Sequence, residues 1–262
     1  MPICFYSYFS NAMSVARLRE IGKYTHACYN LIMSDLTNIA IVLLAGVTQA
    51  TLQLSFGALI LLFHSSIGRH RRRKTSILAK SYIAGTGAIS FLSVAAIAFI
   101  LSVIFDGNFD ARTVLMVLVG ILLVSSIIMW RFYFRKGSRT ELWLPRSFAK
   151  FIGRRARETD DAVESFSLGI LSSFAEAPIS LSLYVVAAYG VLNLTGFWQI
   201  IGLLIYTSLA ILPLVILKYR IRTGSNVVEV QKWRVQNKTF LKYFSGFGFI
   251  TLAATVLSFW VI

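Results

Sequence analysis

Apolar runs of about twenty residues recur six times along this chain, at about 36–63, 77–105, 113–134, 163–191, 196–217 and 240–262. A helix rises about 1.5 Å per residue, so a run of that length crosses the roughly 30 Å hydrocarbon layer of a bilayer. A soluble domain has no use for six such runs, and 56% apolar residues with a mean hydropathy of +0.70 point the same way. In lipid the backbone has to satisfy its own hydrogen bonds, and a helix does so within a single segment. The expected fold is therefore all-α, a polytopic membrane protein of six transmembrane helices with the lipid bilayer as its first partner.

Charge orders the spans. The net charge is +15, which in a soluble chain would suggest nucleic acid. Here 22 of the 26 Lys and Arg fall in 69–80, 131–157 and 218–242, the connectors after spans one, three and five with their flanks. The connectors after spans two and four hold only Arg112. That alternation is the positive-inside pattern. It predicts basic loops in the cytoplasm, both termini outside, a cell-membrane location and no nucleic-acid partner. Arg17, Arg19 and Lys23 run against it. Residues 1–37 are read as an N-terminal tail, with the native start at Met33 or with 1–32 poorly ordered. They lack the pattern of a signal peptide.

One stretch breaks the apolar monotony. Gly169-Ile-Leu-Ser-Ser-Phe-Ala-Glu-Ala-Pro-Ile-Ser-Leu-Ser182 puts an ionisable group, Glu176, and a helix breaker, Pro178, inside span four. A carboxylate at mid-membrane depth is costly and faces the bundle interior or a wet cavity. Proline removes one backbone donor and crowds the carbonyl of Phe174, so a kink or opening is expected there. The expected site joins Glu176, Pro178, Ser172 and Ser173 of span four to Thr48, Gln49 and Gln53 of span one. Ionised, Glu176 would hold a cation among these oxygens. Desolvation raises a carboxyl pKa, so it could instead carry a proton at neutral pH. Proton and substrate competing for one carboxylate would couple their movements. The structural alternative is a protonated Glu176 bonded across to Gln49 or Gln53, holding two helices in register.

Three spans lie on each side of the long connector, so the halves have opposite sense in the membrane. Residues 38–134 read as a first three-helix repeat, 135–162 as a cytoplasmic basic connector and 163–262 as a second three-helix repeat. Gly46 precedes Thr48, Gln49, Thr51, Gln53 and Ser55 much as Gly169 precedes Ser172, Ser173, Glu176, Pro178 and Ser180. Gly120 in span three has a counterpart in Gly246 or Gly248. Inverted repeats of this kind build transporters with a midplane site. Two connectors have the pattern of interfacial helices, although solvated connectors that simply anchor the bundle are the readier reading of both. Leu142, Trp143, Leu144, Phe148, Phe151 and Ile152 oppose Arg146, Lys150, Arg154 and Arg155. Asn226 and Glu229 form a capping box before Val230 and Trp233.

The basic Gly68-Arg-His-Arg-Arg-Arg loop, Gly169 to Pro178, Tyr206-Thr-Ser-Leu-Ala-Ile-Leu-Pro213 and Tyr243-Phe-Ser-Gly-Phe-Gly248 occur in that order. The layout of 38–262 resembles the six-span membrane domain of the thiol-disulfide interchange and cytochrome c biogenesis (DsbD/CcdA-type) proteins, within the LysE superfamily. The resemblance implies the inverted 3+3 fold. It also implies a Pro-Cys pair in the first span of each half, and there this chain departs. The second half has Pro178-Ile179, the first Gln53-Leu54, and no cysteine occurs after Cys28. Thiol-disulfide exchange needs a thiolate, so that route is closed. Cys4 and Cys28 form neither a disulfide framework nor a metal motif.

Other branches of the superfamily export small solutes. The expected function is a secondary transporter, an exporter of a small solute or cation. It would be no enzyme, would use no cofactor, and its metal, if it moves one, is not readable. The alternative is a cysteine-less, redox-like scaffold or assembly factor serving a membrane partner protein. Among lesser features, His64 reads as interfacial, Pro213 as a bend in span five, and Gly85-Thr-Gly87 as helix packing. Asn193-Leu-Thr195 reads as a chance glycosylation pattern.

Overall fold

The computed structural model describes residues 15–52, 55–65, 72–106, 111–133, 146–222, 229, 232–233 and 236–261. Among them are eight helices and no strand. They are α1 (Val15–Leu52), α2 (Ser55–Ser65), α3 (Arg72–Asp106), α4 (Ala111–Ile128), α5 (Arg146–Glu158), α6 (Ala162–Leu192), α7 (Phe197–Arg222) and α8 (Lys238–Val256). Helix α4 runs on into a π-helical turn, Met129–Tyr133, and α8 into another, Leu257–Val261.

Six segments are long and apolar enough to cross a membrane: Ser34–Leu52, Lys74–Ile104, Arg112–Arg131, Ala162–Leu192, Phe197–Ile221 and Thr239–Val261. The chain is a multi-pass α-helical membrane protein. Its outer surface is apolar where lipid would lie, with Phe99, Ile100 and Val103 on α3 and Val117, Val124 and Ile127 on α4 exposed. Lipid tails are as apolar as these side chains, so nothing drives them inward.

Helix α1 starts at Val15 and runs on into the first span, whose apolar segment begins at Ser34. The expected run 36–63 is shared between α1 and α2, with Gln53 and Leu54 between them outside the described residues. Residues 1–14, the loop 66–71 and the capping box with Asn226 and Val230 also lie outside them. Helix α6 continues through Pro178, so the helix does not open there. The ring of Pro178 and the side chain of Phe174, whose carbonyl loses its donor, are both exposed. The break is absorbed on an outer face of a long, well-capped helix.

Helix α6 is started by Asp161, whose side chain accepts from the Ala162 amide at 2.7 Å. Glu164 in its first turn suits the positive end of the helix dipole. Asn193 ends it, and Gly196, at φ +46°, turns the chain into α7. That φ is open to glycine at little cost and to other residues only under strain.

The most extensive packing joins α3 to α6. A Cβ on Gly85 would collide with the Phe166 carbonyl, and one on Gly169 with the Tyr82 carbonyl and, at 3.0 Å, the Thr86 amide. The two backbones therefore touch, as small residues allow in membrane bundles. Ser165 adds a bond from Oγ to the Leu78 carbonyl at 2.7 Å. Helix α1 packs on α6, α7 and α8. Its Gly46 faces Leu209, and its Thr48 abuts Gly248. Helix α4 meets α8 where Ser126 Oγ donates to the Gly246 carbonyl at 3.0 Å beneath the Trp130 ring. Gly120, expected to match Gly246 or Gly248, has open space around it. At the end away from the basic residues, Asn38 ties three helices together. Its Nδ2 donates to the Asn193 carbonyl at 3.3 Å, and its Oδ1 accepts from Trp260 Nε1 at 3.0 Å.

Gly169→Ala and Gly85→Ala should each destabilise the bundle by about 1–3 kcal/mol or more, since backbone cannot move aside. Gly120→Ala should be neutral within about 0.5 kcal/mol. Thermal unfolding of the detergent-solubilised protein checks this, and equal midpoints for all three variants would contradict the packing.

Candidate functional site

The buried apolar residues form two cores rather than one. The first gathers Ile41 to Leu52 of α1, Val94 to Leu101 of α3 and Leu183 to Val191 of α6, with α4, α8 and Tyr206. The second gathers α2, Leu78 to Ile83 of α3, Leu168 of α6, Leu214 and Leu217 of α7, and the inner face of α5. Between them lies a layer of buried polar side chains: Thr86 and Ser90 of α3, and Ser172 and Glu176 of α6. Glu176 sits at the middle of the span Ala162–Leu192, and Ser90 at the middle of Lys74–Ile104. These two residues are central in their apolar segments, whereas Gln49 lies near the end of Ser34–Leu52.

Glu176 is 4% exposed and is the one buried carboxylate among the described residues. Ser172, Glu176, Ser180 and Tyr184 follow one another at intervals of four, which stacks them on one stripe of α6. Gln49 reaches this stripe from α1, with Nε2 donating to Ser180 Oγ at 3.0 Å. Tyr184 faces the hydroxyls of Ser90 and Ser180, and both Tyr184 and Tyr206 lie near Glu176. The two tyrosine rings meet edge to face with centroids 6.2 Å apart. Helices α1, α3, α6 and α7 thus each bring a polar group to the same layer.

Three oxygens in this layer have no hydrogen-bond partner among the described residues: Gln49 Oε1, Ser172 Oγ and the Tyr206 hydroxyl. A buried polar atom left unpaired costs about 1–3 kcal/mol. Native folds rarely tolerate several such atoms together unless water or a ligand completes them. Every donor atom here is oxygen. Oxygen ligands suit hard cations or an ammonium group, and soft metals prefer sulfur and nitrogen. Among the described residues no group of three or more His, Cys, Asp or Glu could hold a metal ion.

The expected site residues divide. Glu176, Ser172 and Gln49 are brought to the layer. Thr48 turns aside, its Oγ1 donating to the Leu44 carbonyl at 2.8 Å while it abuts Gly248. Ser173 is buried but donates to the Gly169 carbonyl at 3.2 Å in its own helix. Pro178 is exposed, and Gln53 lies outside the described residues. Ser90, Ser180, Tyr184 and Tyr206 complete the layer and were absent from the expected set. The spacing of four from Glu176 points to Ser180 and Tyr184; no local signal points to Ser90.

The lesser features divide too. Gly85 and Gly87 are packing glycines, the latter against Ile211 and Thr207. Asn193 Nδ2 and Thr195 Oγ1 are both engaged, with the Tyr189 carbonyl and Asp35 Oδ2, each at 2.9 Å. Helix α7 is continuous through Pro213. The side chain of His64 lies outside the described residues. Family models, curated proteins and solved structures contain no match to this chain.

Tyr206→Phe removes an unpaired hydroxyl and should leave thermal stability unchanged or higher. Ser180→Ala strands Gln49 Nε2 and should lower it by about 1–3 kcal/mol. Unfolding midpoints in one detergent compare the two, and a loss for Tyr206→Phe as large as that for Ser180→Ala would show the hydroxyl to be structural.

Proposed function

We propose that this membrane protein is a secondary transporter of a small solute or cation, with Glu176 as its coupling carboxylate. The observation that carries the reading is the buried Glu176 at mid-depth, in a layer where Gln49, Ser172 and Tyr206 keep unpaired oxygens. A scaffold gains nothing from such atoms, whereas a carrier needs groups that bind, release and bind again.

The carboxylate supplies two states. Ionised, it attracts a cation or an ammonium group, and the neighbouring oxygens replace part of the hydration shell. Protonated, it loses that attraction and the substrate leaves. Proton and substrate then exchange on one group, which is sufficient for coupled movement. Alternating access would come from the two apolar cores moving about the polar layer, with α1 and α6 as the equivalent helices of an inverted repeat. Export, the cytoplasmic placing of the basic end and the cell membrane follow from the charge pattern and from the resemblance to the LysE superfamily.

A vesicle flux screen across divalent cations and amino acids, with and without a pH gradient, tests the reading. Wild-type protein should move one class, and Glu176→Ala should abolish that movement. Glu176→Gln, fixed in the neutral form, should lose flux driven by the pH gradient. Transport unchanged in Glu176→Gln would remove the coupling role. No flux in any condition, with a membrane partner captured by the wild type, would favour the scaffold or assembly factor instead.

A further inference from the structure

A second site lies at the basic end of the bundle, about three turns of α6 from Glu176. A cavity of about 360 Å³ opens there between α5 and the start of α6. That volume is within the range of small-molecule sites. Its floor is apolar, made by Phe151 of α5 and by Leu168 and Leu171 of α6. Its rim carries Arg155, Thr159, Glu164 and Ser167.

All but one of the rim groups are occupied. Thr159 Oγ1 donates to the Arg155 carbonyl at 2.6 Å, and Ser167 Oγ to the Val163 carbonyl at 3.0 Å. The Glu164 carboxylate accepts from the Asp160 amide at 3.5 Å, in the first turn of α6 where negative charge is favoured. Of the nearby cations, Arg154 pairs with Glu158 at 3.9 Å and Lys74 with Asp160 at 3.1 Å, while Arg157, which does not line the cavity, has no acidic partner within 4.0 Å among the described residues. The Arg155 guanidinium has no acidic partner within 4.0 Å among the described residues.

Helix α5 is amphipathic. Ile152 and Ala156 are buried in the second core, and Arg154, Arg155 and Arg157 are exposed. Such a helix lies in the headgroup layer. The groove beside it runs from the exposed Arg155 down past Leu168 to Leu171, into the hydrocarbon. A ligand matching it has a negative head and an apolar tail. Basic pockets between transmembrane helices hold anionic lipid headgroups in this way.

We propose that this groove binds one anionic phospholipid of the leaflet on the basic side. Arg155 takes the phosphate, and an acyl chain covers Phe151, Leu168 and Leu171. The lipid fills the space between α5 and α6, and so fastens the connector helix to the helix that carries Glu176. The site stands whether or not the chain transports.

Native mass spectrometry of the full chain, released from detergent with equal amounts of phosphatidylglycerol and phosphatidylcholine, tests it. The wild type should retain one phosphatidylglycerol in preference to phosphatidylcholine. Arg155→Gln should bind it about fivefold more weakly, and Arg154→Gln, outside the groove, should bind as wild type. Ser167→Trp, placed at an exposed position, should block the groove without disturbing the fold. Equal retention by wild type and Arg155→Gln would overturn the proposal. So would full displacement of the lipid by millimolar inorganic phosphate, which would make this a site for the anion alone.

Discussion

The contact between α3 and α6 governs the rest of the bundle. Gly85 lies against the Phe166 carbonyl and Gly169 against Tyr82 and Thr86, so the two backbones meet without side chains between them. In lipid, helices gain little from hiding apolar surface, because the solvent is equally apolar. Close van der Waals contact and a few interhelical hydrogen bonds have to supply the adhesion. Ser165 to Leu78 is one such bond. Gly169 is two turns from Glu176, so the crossing also fixes how the carboxylate is presented to α1 and α7.

That presentation explains the polar layer. On α3 and α6 the polar groups fall between the two cores, and Gln49 of α1 and Tyr206 of α7 reach the layer from the side of the first. A continuous core would pack better and would exclude water. Dividing it leaves Gln49, Ser172 and Tyr206 with unpaired oxygens. Stability is given up at one depth and held elsewhere, notably by the Asn38, Asn193 and Trp260 lock at the far end.

Much of this was legible in the residue order. Span length and apolar composition identified a membrane chain of six spans because the bilayer imposes both directly. Glu176 was legible for the same reason, since a charge in an apolar run has few places to go. Adjacent residues of the expected site part company in the fold. Thr48 adjoins Gln49 and Ser173 adjoins Ser172, yet one step along a helix turns a side chain by about 100°. Pro178 lies two steps from Glu176 and points outward, so its break does not reach the site. Tyr206 and Ser90 depend on how α7 and α3 pack, which no local pattern encodes.

The lengths of α3 and α6 have a mechanical consequence. Their spanning segments, Lys74–Ile104 and Ala162–Leu192, are 31 residues each. At 1.5 Å per residue that is roughly 46 Å of helix, against a hydrocarbon layer of about 30 Å. Such helices must lean, or lift their ends into the headgroups. Because the glycine crossing binds them together, they lean as one strut. A thinner or thicker bilayer would alter the angle of that strut, and with it the spacing of the oxygens around Glu176. Membrane thickness is thus a physical variable to which this fold responds at its centre.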